Sequence, residues 1–287
     1  MPLQQPHIAP VPQTPAGRAG LAALLADPLR AVLASDFDGT LAPIVARPDD
    51  ARPVAGAMAA LCRLAPLVGR IVIVTGRPVD SVRAIAGLQE HPELASVTVL
   101  GHYGLERWEV GADTVDRPAP DKGLDLVRQE LPLLIAGRTG TDIEDKQHSV
   151  AVHTRNAADP EGTFAALRPS LHALAARAGL EAVDGRFVVE LRPGGHDKGH
   201  ALLGFVAEAA TSSVFFFGDD LGDLPAFAAI DELRAVGTPG LTVASASDEV
   251  TEVAAAADLV VDGPAGIGAL LGWMAGELDK DSETPNA

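Results

Sequence analysis

Cysteine and aromatic residues are scarce in this chain of 287 residues, and long apolar runs are absent. Cys62 is the only cysteine, so no disulfide can form within the chain. It lies in a stretch with helical apolar spacing, where we expect it to pack in the core, and a reducing, cytoplasmic setting fits a single cysteine. No apolar run approaches the roughly 18 residues that span a bilayer, so we expect no membrane partner.

Basic residues are few as well. The 22 Lys and Arg residues face 39 Asp and Glu residues, which leaves a formal charge of −17. This charge repels nucleic acid and anionic membranes, so a nucleic-acid partner is not expected. It also repels a phosphorylated substrate, so a phosphate site would need a local cluster of cations and a metal ion.

The stretch 31–41, which reads AVLASDFDGTL, joins a short apolar run to two aspartates. This pattern predicts a buried parallel strand that delivers Asp36 and Asp38 to its carboxyl end, where open α/β sheets place their chemistry. One carboxylate could attack a phosphorus atom while the other reaches the leaving oxygen. Two acids this close favour a cation between them, and oxygen ligands favour Mg²⁺. The alternative is an acidic turn that caps a strand.

Polar residues also follow three further predicted strands, and Lys198 stands at the start of a predicted helix. This arrangement predicts an α/β fold with a doubly wound, Rossmann-like parallel sheet, in which the polar strand ends meet at one edge. Additional short strands are predicted near Ala235 and Val243. The three strands are 70–74, 97–100 and 213–217, and the residues after them include Thr75, Arg77, Gly101, His102, Asp219, Asp220 and Asp223.

The pattern changes in the middle of the chain, where a helix and two strands are followed by a second helix and two strands. Short adjacent strands with brief turns predict antiparallel hairpins, and hence an inserted α+β cap domain. The predicted organisation is a disordered tail at 1–18, a core domain at 19–111 and 192–278, the cap at 112–191, and a C-terminal tail at 279–287.

The segment DFDGTL, Thr75, Lys198 and the GDD cluster at 218–220 together resemble the four motifs of the haloacid dehalogenase superfamily of aspartyl-phosphate phosphotransferases. The resemblance implies that Asp36 is the nucleophile and Asp38 the general acid and base. It also implies that Thr75 and Lys198 bind the transferring phosphoryl group. The implied Mg²⁺ ligands are Asp36, the Asp38 backbone carbonyl and Asp219, with Asp220 and Asp223 holding metal-bound waters.

Three segments resemble trehalose-6-phosphate phosphatases more closely: GHYGLE at 101–106, IEDKQHSVAVHTRNA at 143–157 and VVELRPGGHDKGHAL at 188–202. The chain departs from that family at Tyr103, where His is common, and at Gly222–Pro225, where a Thr-Asp-Glu run is usual. The implied substrate-binding residues are Arg77, Gly101, His102, Glu144, Lys146, Arg155, Glu190 and Arg192, with Ser149 and His153 as further candidates.

The resemblance implies a Mg²⁺-dependent enzyme of trehalose biosynthesis that hydrolyses trehalose 6-phosphate through an aspartyl-phosphate intermediate. We expect a monomer whose cap closes over the core. A phosphatase for another sugar phosphate is one alternative. The other is a non-catalytic sugar-phosphate sensor, although the complete set of Asp36, Asp38, Lys198 and Asp219 favours an enzyme.

Overall fold

The computed structural model describes residues 10–45, 47–246 and 251–282. The chain forms two compact units. The core unit comprises the chain up to Asp116 and from Asp197 onward, and the inserted unit is Arg117–His196. The insertion thus begins and ends five residues later than the expected 112–191. Residues Arg107 and Asp116 exchange two backbone hydrogen bonds of 2.8 Å, which keep the chain before Arg117 with the core unit.

The described residues contain eleven strands and nine α-helices. The strands are β1 (Ala31–Ser35), β2 (Arg70–Val74), β3 (Thr98–Gly101), β4 (Glu106–Glu109), β5 (Asp142–Asp145), β6 (Val150–His153), β7 (Glu181–Gly185), β8 (Val188–Arg192), β9 (Ser213–Gly218), β10 (Gly240–Ser245) and β11 (Leu259–Val261). The helices are α1 (Pro15–Ala26), α2 (Ala55–Leu64), α3 (Val79–Ile85), α4 (Gly123–Leu134), α5 (Pro160–Ala178), α6 (Lys198–Val206), α7 (Leu224–Ala235), α8 (Thr251–Ala256) and α9 (Gly263–Ser282).

The core unit is built on a seven-stranded sheet in the order β11-β10-β9-β1-β2-β3-β4. All neighbouring pairs are parallel except β3 and β4. Successive residues of β1 point to opposite faces. Leu33 packs into the cluster that includes residues of α2 and α9, whereas Val32 and Ala34 pack into the cluster that includes residues of α6 and α7. Helices therefore cover both faces, and the predicted doubly wound sheet is confirmed.

Parts of both predicted tails are helical. Helix α1 begins at Pro15 because Thr14 accepts a hydrogen bond from the Gly17 N–H at 2.9 Å, and proline fits the first helical turn. Helix α9 continues to Ser282, and Asp279 pairs with Arg63 at 2.5 Å. The tail predictions are wrong for 15–18 and 279–282, and their parts at 1–9 and 283–287 lie outside the described residues.

Two further expectations for the core unit need correction. The strand predicted near Ala235 is the end of helix α7, whose Phe227 and Ile230 are buried at helical spacing. Strand β4 was not predicted. Its sequence alternates Glu106 and Trp108, both buried, with half-buried residues, and a buried glutamate breaks the apolar pattern that marks a strand.

The inserted unit is a four-stranded antiparallel sheet in the order β5-β6-β8-β7, with helices α4 and α5 on one face. Val152 and Val189 face these helices. The period of two places Glu144, Ala151 and Glu190, which are neighbours in register, on the opposite face. Helix α5 continues through Pro169. Among the described residues of the chain, no helix is both long and apolar enough to cross a bilayer.

Candidate active site

The candidate site of the core unit is built at the carboxyl ends of β1 and β9. Asp36 follows β1 directly, donates its backbone N–H to the Phe217 carbonyl at 2.8 Å, and is 4% exposed. Asp219 follows β9. Gly39 has a φ of +78°, and a Cβ there would lie 2.0 Å from Asp219 Oδ2. The turn after β1 therefore requires glycine both for its backbone conformation and for the close approach of Asp219.

Lys198 links the acidic residues of the two strand ends. Asp197 caps helix α6 by accepting the His200 N–H at 2.8 Å, which fixes Lys198 at the first helical position. The buried Nζ lies 2.9 Å from Asp36 Oδ1 and 2.7 Å from Asp223 Oδ1. The ammonium thus joins two carboxylates that would otherwise repel each other in a buried environment.

Asp223 and Asp220 occupy different environments although both follow β9. Asp223 is fully buried, and its Oδ2 accepts the backbone N–H groups of Asp219 at 2.9 Å and Asp220 at 3.1 Å. The Asp220 side chain is 58% exposed, accepts the Gly222 N–H, and lies 3.9 Å from Lys198 Nζ. Asp223 therefore organises the loop, and Asp220 faces solvent.

Three carboxylates could hold a metal ion. One oxygen each from Asp36, Asp219 and Asp223 lies within 4.8 Å of the other two. Burial raises the pKa of each: the pKa of Asp219 reaches about 7, and that of Asp36 is well above its usual range although Lys198 opposes the shift. Because their pKa values are raised, the three carboxylates are stabilised by binding protons or a cation. The all-oxygen donor set fits Mg²⁺, and the side chains of Asp38 and Asp220 are outside the set.

Asp38 is paired with Arg77. The guanidinium donates from Nε to Asp38 Oδ2 and from Nη2 to Oδ1, both at 2.6 Å, in a bidentate ion pair. The Arg77 guanidinium also lies 5.7 Å from the centre of the Phe37 ring. The sequence resemblance implied that Arg77 binds substrate. In this structure the Arg77 guanidinium instead binds the carboxylate of Asp38, which is expected to act as general acid and base.

Thr75 and the loop after β3 lie side by side. Thr75 is 1% exposed, and its Oγ1 accepts the Arg77 N–H at 3.1 Å. His102 donates its backbone N–H to the Arg77 carbonyl, and Tyr103 donates to the Thr75 carbonyl, each at 3.0 Å. A Cβ at Gly101 would lie 2.8 Å from the Val79 nitrogen. Gly101 and His102 therefore shape the Thr75 loop, and their contact with a substrate stays a prediction.

The face of the inserted sheet opposite helices α4 and α5 carries a second polar cluster. Glu190 Oε1 accepts from Ser149 Oγ at 2.6 Å and from Lys146 Nζ at 3.3 Å. Burial alone would raise the pKa of Glu190, but Lys146, Ser149 and Arg192 together lower it. Glu144 pairs with His153 at 2.9 Å and lies 3.8 Å from Lys146 Nζ. Most of the residues of the inserted unit that were predicted to bind substrate thus form one cluster, which comprises Glu144, Lys146, Ser149, His153 and Glu190.

Arg155 and Arg192 complete the predicted residues of the inserted unit. Arg192 is buried at the end of β8, and Arg155 is exposed in the turn after β6. In the part of the chain that the structure describes, no hydrogen bond or ion pair joins Arg155 to the Glu190 cluster, so its assignment to the site rests on the sequence resemblance.

Three site residues were not singled out from the sequence. Thr40 donates to Asp219 Oδ1 at 3.1 Å, Ser245 Oγ donates to the Gly39 carbonyl at 2.7 Å, and Glu106 accepts the Val79 N–H at 2.6 Å. Thr40 belongs to the DFDGTL segment, and Ser245 ends strand β10. The rule that polar residues at strand ends line the site would have found both.

The sequence matches the family model described as trehalose-phosphatase over residues 34–265. The chain is 32% identical over 253 residues to a trehalose-phosphate phosphatase of Mycobacterium marinum, covering 85% of this chain and 61% of the relative. It is 30% identical over 201 residues to trehalose-6-phosphate phosphatase of Escherichia coli K12, covering 69% of this chain and 73% of the relative. The chain therefore spans about three fifths of the length of its mycobacterial relative.

A solved structure gives the same fold. The C-terminal domain of the trehalose-6-phosphate phosphatase of C. albicans superimposes with a TM-score of 0.73 at 22% identity, covering 93% of this chain and 99% of that chain. At this identity the likeness concerns the fold alone.

Proposed function

The chain belongs to the trehalose-phosphatase family, and from this premise we propose that it hydrolyses trehalose 6-phosphate in a Mg²⁺-dependent reaction. The observation that carries the proposal is the convergence of Asp36, Asp219, Asp223 and Lys198 at the carboxyl ends of β1 and β9. A buried carboxylate beside a buried ammonium and two further acids is a suitable site for phosphoryl transfer, in which charge must be balanced at every step.

In the proposed reaction, Asp36 attacks the phosphorus and the bond to the sugar oxygen breaks, which leaves an aspartyl-phosphate. Asp38 gives a proton to the departing sugar oxygen and then takes one from the water that hydrolyses the intermediate. In the free site Arg77 orients the Asp38 carboxylate by a bidentate contact. For the acid step, one Asp38 oxygen must leave the guanidinium and take up from solvent the proton that it then donates. Thr75 and Lys198 bind the oxygens of the transferring phosphoryl group.

Asp36, Asp219 and Asp223 are the side chains that would hold Mg²⁺, with the Asp38 backbone carbonyl as a further predicted ligand. When bound, the ion supplies positive charge that reduces repulsion between the phosphoryl group and the Asp36 carboxylate. Asp220, which faces solvent, would hold a metal-bound water.

We assign recognition of the sugar to the face of the inserted sheet opposite helices α4 and α5. Glu144, Lys146 and Glu190 offer acceptors and donors that match the hydroxyl groups of a disaccharide. Ser149 supports this role because it holds Glu190 by a hydrogen bond of 2.6 Å.

The test is phosphate release from trehalose 6-phosphate, glucose 6-phosphate and sucrose 6-phosphate, with Mg²⁺ or with chelator. We expect a strong preference for the trehalose ester that chelator abolishes. Asp36→Asn should reduce turnover at least about 10³-fold because the amide is a poor nucleophile, while the exposed Asp113→Asn should leave it unchanged.

Each other outcome refutes a separate part of the proposal. Preference for another ester would refute the substrate and keep the mechanism. An Asp36→Asn variant with unchanged turnover would refute the nucleophile. If the sugar phosphate binds without any turnover, the chain is a sensor and the enzymatic proposal is wrong.

A further inference from the structure

A second group of metal-ligating side chains lies at the opposite edge of the core sheet. Cys62 is in the last turn of α2, just before β2, and His91 and Glu93 precede β3. Segments that precede parallel strands lie at the amino ends of those strands, whereas the carboxylates of the candidate active site lie at the carboxyl ends. The two groups are therefore separate sites.

One ligand atom from each of Cys62, His91 and Glu93 lies within 4.8 Å of the other two. The three atoms are a sulfur, an imidazole nitrogen and a carboxylate oxygen. Cys62 and His91 are half-buried and Glu93 is exposed, so an ion could enter from solvent. Among the described residues, neither the His91 imidazole nor the Glu93 carboxylate forms a hydrogen bond or ion pair with another side chain.

The backbone holds His91 in a defined position. His91 joins two short 3-10 turns: its N–H donates to the Leu88 carbonyl at 3.2 Å, and its carbonyl accepts the Leu94 N–H at 3.0 Å. Leu88 and Leu94 are buried in the core and anchor the two turns.

Cys62 is held in the same way from the other side. Its helix neighbours Leu61 and Leu64 are both buried in the core. The ligand atoms thus project from two anchored segments, which reduces the conformational entropy that an ion would have to remove on binding.

We propose that Cys62, His91 and Glu93 form a Zn²⁺ site, which nothing in the phosphatase reaction requires. Zinc binds thiolate, imidazole and carboxylate groups together, and a fourth position would be taken by water. Mg²⁺ prefers oxygen ligands only, so the donor sets direct the two metals to different sites. Bound zinc would cross-link the end of α2 to the turn before β3.

A redox role for Cys62 fits the structure less well. Burial, together with the nearby Glu93, raises the pKa of the Cys62 thiol, whereas reactive cysteines have a lowered pKa. The chain also offers no second cysteine for a disulfide.

The single cysteine makes a sharp spectroscopic test possible. We would titrate the reduced, metal-free full chain with Co²⁺ in the presence of excess Mg²⁺, which occupies the carboxylate site. A thiolate-to-cobalt charge-transfer band can arise only from Cys62. We expect the band to saturate at one equivalent, to disappear on addition of one equivalent of Zn²⁺, and to be absent in Cys62→Ser and Cys62→Ala.

His91→Ala should weaken Co²⁺ binding at least about tenfold, and Asp219→Asn should leave the band unchanged. Zn²⁺ should also raise the thermal unfolding midpoint of the wild type but not of Cys62→Ser. The proposal is overturned if saturating Co²⁺ gives no band in the wild type. It is equally overturned if His91→Ala binds with wild-type affinity, since the imidazole would then not be a ligand.

Discussion

The pKa of Asp219 gives a quantitative test of how the carboxylate cluster affects stability. Burial, followed by the negative charges of Asp223 and Asp220, raises this pKa from 3.8 to about 7. At about 1.4 kcal/mol per pH unit, ionised Asp219 lowers the free energy of unfolding of the metal-free protein by about 4 kcal/mol above pH 7.

Asp219→Asn keeps the shape of the side chain and removes its charge. Because the pKa is raised in the folded state, Asp219 favours folding below its unfolded-state pKa, and this contribution is lost as the pH rises through 7. The neighbouring carboxylates share protons with Asp219, so we expect the variant to be more stable than the wild type by about 2–4 kcal/mol at pH 8 in chelator. At pH 5 the difference should fall below half that value.

The assay is urea unfolding followed by far-ultraviolet circular dichroism at pH 8 and pH 5, in chelator, with the exposed Asp113→Asn as the control. Addition of Mg²⁺ should stabilise the wild type and reduce the advantage of the variant. The reasoning is refuted if Asp219→Asn is less stable than the wild type at pH 8 in chelator. It is also refuted if the difference between the two proteins is the same at both pH values.

Two further predictions concern geometry and substrate recognition. Gly39→Ala should reduce turnover by about 100-fold or more. The new Cβ would lie 2.0 Å from Asp219 Oδ2, and residue 39 has a φ of +78°, which residues with a Cβ rarely adopt. Turnover and circular dichroism measure the effect, and a fully active variant would contradict the prediction. Lys146→Ala should lower kcat/KM for trehalose 6-phosphate by about 10-fold or more, but for p-nitrophenyl phosphate by less than about threefold. The exposed Lys122→Ala is the control. Equal losses on both esters would make Lys146 a purely structural residue.

The polar strand ends could be predicted from the sequence because each lies beside its own apolar run. The residues of β1 are all buried, and Asp36 follows them directly, so a local pattern was enough to place the nucleophile candidate at the sheet edge. The same pattern found Thr75 after β2 and Asp219 after β9. Strand β4 was not predicted because its inward-facing residues include Glu106, whose carboxylate accepts a hydrogen bond from the Val79 N–H of another segment.

The pairings between distant segments could not be predicted. Asp38 and Arg77 are 39 residues apart, and Cys62 and His91 are 29 apart in the sequence. No spacing rule relates such positions, because their contact depends on how two βα units pack side by side. The sequence placed Asp38 and Arg77 after their strands and Cys62 within a helical stretch, and only the three-dimensional structure identifies their partners.

The direction of the pKa shifts separates two kinds of acidic residue in this chain. Glu190 is buried, yet its pKa is lowered because Lys146, Ser149 and Arg192 of the same unit stabilise the carboxylate. Asp219 is as buried, and its pKa is raised by that burial and then by the negative charges of Asp223 and Asp220, while Lys198, which opposes the shift, contacts Asp36 and Asp223. An acid such as Glu190 has its stabilising partners as soon as the chain folds. One of the second kind gains stability only from a proton or an added cation, which is why the carboxylate cluster, and not Glu190, is where we place the metal.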